Sequence, residues 1–132
     1  MNSQEQLDEN IAAANRARPD LLSEEDLIFI KEVAGEFLKR TVIPCTKCRY
    51  CMPCPSSVDI PWNIEQYNEG LIYGDLEAPR FVYNTFMKPE NRAGACSDCK
   101  ACEERCPQKI KISEWMPKIK EVLGDGKPPQ GG

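Results

Sequence analysis

Eight cysteines sit in two runs, and the second run repeats the first. Cys45, Cys48 and Cys51 return as Cys96, Cys99 and Cys102 after 51 positions, and Cys54-Pro55 returns as Cys106-Pro107 after 52. The match continues beyond the cysteines. Val58 and Ile60 align with Ile110 and Ile112, and each run then leads into a helical pattern, near Pro61 and near Ser113. The chain therefore carries a duplicated unit: three cysteines, a fourth with its proline, two apolar side chains, a helix. What one copy binds the other should bind, so a pseudo-twofold pair of metal sites is the expected picture.

Composition sharpens this. The 132 residues leave room for one domain, or a small domain with an appendage. Leu, Ile, Val and Phe together make up about a fifth of the chain, near the lower edge for building a core. There is no histidine, which excludes Ser-His-Asp, Cys-His and histidine-metal chemistry within these residues. A net charge of −4 gives no basic footprint for nucleic acid. No apolar run approaches the length of a membrane span. Met1 to Asn10 is acidic and polar, unlike an export signal, so the expected compartment is the cytoplasm. In that reducing setting cysteine runs read as metal ligands rather than disulfides.

The spacing selects the metal. C-x-x-C-x-x-C wraps a turn so that three sulfurs converge on one face of a body larger than an ion. A cubane [4Fe–4S] cluster takes four thiolates, one per iron. The run C-x2-C-x2-C-x3-C-P supplies three of them locally, and its fourth cysteine ligates the other cluster. Cys96, Cys99, Cys102, Cys106 and Pro107 fit that pattern in full. The first run has only Met52-Pro53 in its last gap, one residue short. The expected assignment is cluster one on Cys45, Cys48, Cys51 and Cys106, and cluster two on Cys96, Cys99, Cys102 and Cys54. Val58, Ile60, Ile110 and Ile112 would cover the clusters and limit solvent. The alternative is a structural four-cysteine zinc module without redox activity. Zinc motifs, however, pair two C-x2-C units about 15–20 residues apart.

The rest of the chain reads as helix. Leu7, Ile11 and Ala14 recur at helical spacing up to Arg18-Pro19. Ser23 with Asp26 forms a variant capping box, opening a helix whose stripe is Leu27, Ile30, Ala34, Phe37 and Leu38. Pro61 suits a first helical turn, with Ile64, Tyr67, Leu71 and Ile72 on one face before a break at Gly74-Asp75. A shorter stretch follows with Phe81, Val82, Thr85 and Phe86. Ser113 is expected to cap a last helix carrying Trp115, Met116, Ile119, Val122 and Leu123, with Pro117 in its first turn. The boundaries expected are a helical segment at 1–42, a two-cluster domain at 43–123 and a disordered tail at 124–132.

Small bacterial ferredoxins join their runs by short strands and turns, whereas 41 residues of helical pattern separate Cys54 from Cys96 here. The chain thus resembles the α-helical ferredoxin fold, which implies an all-α domain with two [4Fe–4S] loops. The string from Ile43 to Pro55, with Val58-Asp59-Ile60-Pro61 and Cys102-Glu103-Glu104-Arg105-Cys106-Pro107-Gln108-Lys109-Ile110, also resembles the C-terminal iron–sulfur extension of a family of predicted aldo/keto reductases. In that family the shorter first gap is normal. Ser3, Glu5, Gln6, Leu7, Glu9, Asn10 and Ile11 resemble the stretch that closes the reductase barrel, and Leu22 to Leu27 resembles the helix after it. The resemblance implies a fragment, monomeric by itself, whose partner is the missing barrel or a one-electron redox protein. The family's catalytic Asp, Tyr, Lys and His would lie upstream. Positions matching Glu9 and Asn10 lie near the NADP adenine there, but one helix makes no pocket, and both read as exposed helix residues.

Several other residues keep ordinary readings. Tyr50, between two ligands, reads as packing over a cluster. Trp62 and Trp115, at the starts of the helices after each run, read as core or cover. Lys47, Arg49, Lys100 and Arg105 flank cysteines and read as solvated surface.

Overall fold

The computed structural model describes residues 2–129. It is helical, with no strand among the described residues. Six α-helices follow in order: α1 (Gln4–Arg16), α2 (Glu24–Arg40), α3 (Ile60–Tyr73), α4 (Glu77–Thr85), α5 (Ala101–Glu104) and α6 (Ile112–Ile119). Two 3-10 turns, Pro89–Asn91 and Ala93–Ala95, precede the second cysteine run, and a π turn, Lys120–Gly124, extends α6. The chain divides into two compact units, Met1–Glu36 and Phe37–Gly132, with the boundary inside α2.

The first unit is built from capped helices rather than a core. The Ser3 hydroxyl accepts from Gln6 N–H at 3.3 Å and closes the start of α1. The expected capping box opens α2: Ser23 Oγ accepts from Asp26 N–H at 3.1 Å, and Asp26 Oδ2 accepts from Ser23 N–H at 3.0 Å. Three acidic residues in the first turn and two basic residues in the last suit the helix dipole. Neither α1 nor α2 buries a residue, and Leu27, Ile30 and Phe29 are all exposed. The residues of the expected apolar stripe lie on α2, with Leu27, Ile30, Phe37 and Leu38 exposed.

The second unit holds the core. Asp59 caps α3 by accepting from Trp62 N–H at 3.3 Å, Pro61 sits in the first turn, and Gly74 ends the helix at φ +68°, a conformation that favours glycine. α3 buries Ile60, Ile64 and Tyr67, which pack with Ile43, Val58, Tyr83, Met87, Ile110, Ile112, Met116, Ile119 and Leu123. Full burial of a side chain such as Ile64 contributes about 1.5–3 kcal/mol. The four apolar residues of the repeat, Val58, Ile60, Ile110 and Ile112, are all buried.

Several expectations are corrected here. α6 starts at Ile112, not after a Ser113 cap. Ser113 is buried inside the helix, and its N–H is satisfied by Glu103 Oε1 of α5 at 2.7 Å, so the cap comes from a neighbouring helix. Pro117 consequently lies inside α6 rather than in its first turn. In the short stretch after Gly74, Phe81 and Phe86 are exposed and meet edge to face at 5.8 Å, while Pro79 and Tyr83 supply the buried side of α4. Apart from those corrections, in the stretch expected as a tail Lys127 N–H donates to Glu121 O at 3.0 Å, and Lys127 O accepts from Arg80 at 2.8 Å. Residues 130–132 of that tail lie outside the described residues.

Candidate metal centres

The repeat seen in the cysteines extends to the backbone. Lys47 and Arg49, inside the first run, have φ of +55° and +63°; Asp98 and Lys100, 51 positions on, have +55° and +61°. Ser57 and Lys109, three residues after the fourth cysteines, have +62° and +54°. The hydrogen bonds repeat as well. Met52 N–H donates to Arg49 O as Glu103 N–H does to Lys100 O, both at 2.9 Å. Ser57 N–H donates to Cys54 O as Lys109 N–H does to Cys106 O. Asp59 and Lys111, at (−80°, 79°) and (−77°, 74°), each centre a three-residue turn that opens the following helix. Left-handed backbone at six Lys, Arg, Ser and Asp residues is costly and curls each loop tightly around its sulfurs. Nothing in the side-chain types announces it, because glycine and asparagine are the usual markers. The Met52-Pro53 peptide in the shorter gap is cis.

The fold brings the cysteines together across the repeat. Cys54, from the first run, lines one pocket with Cys96, Cys99 and Cys102 of the second. Pro55, Val58, Ile60 and Ile112 line it as well, together with Ser56, Ser97, Lys100 and Ser113. Conversely, Cys106 lies close enough to Cys45 and Cys51 for its charge to act on both thiols. All eight are free thiols. The middle cysteine of each triplet, Cys48 and Cys99, is exposed, whereas Cys102 and Cys106 are buried.

Burial dominates the chemistry of these thiols. It pushes Cys51 and Cys102 up to about 11, against a smaller opposing effect of each residue's own N–H on its sulfur. Neighbouring cysteines add to the rise: Cys45, Cys48 and Cys106 around Cys51, and Cys54 and Cys96 around Cys102. Cys45 is raised by burial too, partly offset by the Lys47 N–H on its sulfur. Grouped thiolates repel one another until a cationic centre neutralises them. The pocket fits a cluster in its donors: four sulfurs come together in one lining. Among the described residues no three His, Cys, Asp or Glu side chains close on a point that would hold a single metal ion.

The flanking residues divide. Lys47 pairs with Glu65 at 2.6 Å and Arg49 with Asp59 at 3.7 Å, all near solvent. Lys100 and Arg105 are exposed. Trp115 packs against the core, its ring tilted at 54° to that of Tyr67 with centroids 6.0 Å apart, and Lys118 Nζ lies 4.4 Å above its ring. Trp62 packs against the same core. Tyr50 is 66% exposed. Two residues escaped the sequence reading. Asn68 of α3 and Tyr83 of α4 hold the main chain just ahead of each run. Asn68 left a signal, being a polar residue in register with Ile60 and Ile64 on the buried stripe. Tyr83, an ordinary aromatic among apolar neighbours, left none.

Comparison with known proteins gives the same chemistry. A family described as a 4Fe–4S dicluster domain matches residues 44–110. The chain is 22% identical over 107 residues to a probable glycolate oxidase iron–sulfur subunit of Bacillus subtilis (strain 168). The alignment covers 74% of this chain and 23% of that protein, so the chain spans less than a quarter of this relative's length. No solved structure matches.

Proposed function

We propose a complete ligand assignment from the premise that this chain belongs to the 4Fe–4S dicluster domain family and so takes two [4Fe–4S] clusters. Cys45, Cys48, Cys51 and Cys106 hold the first, and Cys96, Cys99, Cys102 and Cys54 the second. The observation that carries this reading is the shared pocket: Cys54 stands with the second triplet although the sequence puts it with the first. The electrostatic reach of Cys106 to Cys45 and Cys51 supports the reciprocal half. The two-residue gap before Cys54 does not prevent the crossing.

The role is iron–sulfur electron transfer. When bound, each cluster accepts and releases one electron. The chain's own residues keep Cys102 and Cys106 from water, close the pocket with Val58, Ile60 and Ile112, and leave Cys48 and Cys99 at the surface as points of electron exchange. We further propose that residues 43–123 form the two-cluster domain, that 1–42 is a helical appendage, and that the whole is part of a larger cytoplasmic oxidoreductase of the aldo/keto reductase type. The reductase origin rests on the N-terminal resemblance, and the exposed apolar faces of α1 and α2 favour a missing partner. The B. subtilis relative, an iron–sulfur subunit by name, supports electron exchange with another polypeptide or domain.

The test is iron and acid-labile sulfide per chain after anaerobic purification or reconstitution. About eight of each is expected for two cubanes. EPR after dithionite should then show both clusters reduced. Two zinc ions without sulfide, persisting through reconstitution, would overturn the assignment and leave a structural zinc module.

A further inference from the structure

The linker between the cysteine runs does more than connect them. Just before the first run, Ile43 is fully buried, so both its main-chain groups need partners inside the protein. Asn68 of α3 supplies both: its Oδ1 accepts from Ile43 N–H at 3.1 Å, and its Nδ2 donates to Ile43 O at 2.7 Å. The same Ile43 carbonyl accepts from Cys45 N–H at 2.7 Å. Asn68 is thus one hydrogen-bonded step from the first cysteine of the first run.

The second run repeats this with different chemistry. Ala93 is 2% exposed, and its N–H donates to Tyr83 Oη of α4 at 3.1 Å. The Gly94 N–H acts on the same oxygen. The Ala93 carbonyl accepts from Cys96 N–H at 3.2 Å. Tyr83 is itself held: it is 1% exposed, and Arg92 lies 5.6 Å over its ring. The Arg92 guanidinium donates to Met87 O and Asn84 O. In each case a buried polar side chain from the inter-run helices fixes a buried main-chain unit, whose carbonyl then holds the N–H of a leading cysteine.

We propose that Asn68 and Tyr83 are separate positioning residues, Asn68 for the site of Cys45 and Tyr83 for the site of Cys96. Each sets the environment of one cluster and leaves the other alone. This rests on the two-cluster reading above. Its physical basis is that an unsatisfied buried N–H or C=O is expensive, so losing either clamp lets the chain ahead of that cysteine shift. The N–H groups around the sulfurs, which tune a cluster, shift with it.

The experiment uses the full cluster-loaded chain with Asn68→Leu, Asn68→Asp and Tyr83→Phe. Cys48→Ser and Cys99→Ser identify which EPR signal belongs to which site. Redox titration followed by EPR, and iron release to a chelator, are read for each site. Tyr83→Phe should move the potential of the Cys99 site alone and speed iron release there about tenfold. Asn68→Leu should do the same at the Cys48 site alone. Asn68→Asp keeps the acceptor for Ile43 N–H but sets a second carboxyl oxygen against the Ile43 carbonyl, so its effect should be at least that of leucine and still confined to the Cys48 site; Tyr83→Phe, which removes only one hydroxyl, keeps the inference testable should the Asn68 variants fail to fold. Both signals shifting together in a single variant, or neither shifting in any, overturns the inference while wild-type protein with eight iron upholds the two-cluster reading. Wild-type protein without clusters overturns both.

Discussion

Lys47 and Asp98 stand 51 positions apart and adopt the same left-handed φ of 55°. Neither is a glycine, and the two side chains have opposite charge. What they share is a place in the repeat, between the first and second cysteine of each triplet. Backbone shape, more than side-chain chemistry, is therefore what the duplication preserved.

That conformation has a measurable consequence. A residue with a branched Cβ tolerates left-handed φ poorly, whereas glycine adopts it freely. Asp98→Val should lower the stability of the loaded protein by about 1–3 kcal/mol. Asp98→Gly should be near neutral, the relief of strain offset by the greater freedom of its unfolded chain. Thermal unfolding under anaerobic conditions reads the difference. Equal melting of the glycine and valine variants would show that the loop does not depend on this conformation.

The cysteine arithmetic carried much of the site, because thiolate spacing is a direct requirement of a cluster and leaves its mark in sequence. Helix starts with local signals were equally legible, as at Ser23 with Asp26 and at Asp59-Ile60-Pro61. What sequence concealed was everything settled by tertiary context. Ser113 looks like a cap, but Glu103 of another helix takes that role. Which aromatic residue of α4 is buried was not legible: it is Tyr83, whose hydroxyl accepts from the Ala93 N–H. Left-handed Lys, Arg and Ser residues carry no compositional flag. Asn68 was visible only as an interruption of an apolar stripe, and its meaning depends on Ile43, 25 positions away.

The first unit responds to acid through its capping box. Hydrogen bonds from the Ser23 side chain and backbone hold the Asp26 carboxyl below its ordinary value. A depressed carboxyl stabilises the folded form above the unfolded value, and that contribution is lost as pH falls through the folded one. The start of α2 should therefore fray on acidification below about pH 4. Ser23→Ala should return Asp26 toward the ordinary carboxylate range and weaken the helix start already at neutral pH. NMR titration of the Asp26 carboxyl, with amide exchange at Leu27, checks both. An unshifted carboxyl in the wild-type chain would remove the capping argument.

Removing the clusters should unfasten the loops before the helices. Six left-handed residues impose strain of about 1–3 kcal/mol each, and the core around them is small. Where a preformed site is this expensive, the free energy of metal binding becomes folding free energy. The thiols of half-buried Cys51 and buried Cys102, raised to about 11, would sit protonated. Residues 43–60 and 94–112 should then exchange their amides much faster in the chelated protein than in the loaded one. The middle of α3, held by Ile64 and Tyr67, should keep part of its protection. Hydrogen exchange read by mass spectrometry compares the two forms peptide by peptide. Loops as well protected without iron as with it would mean that the surrounding packing alone holds the cysteines in place.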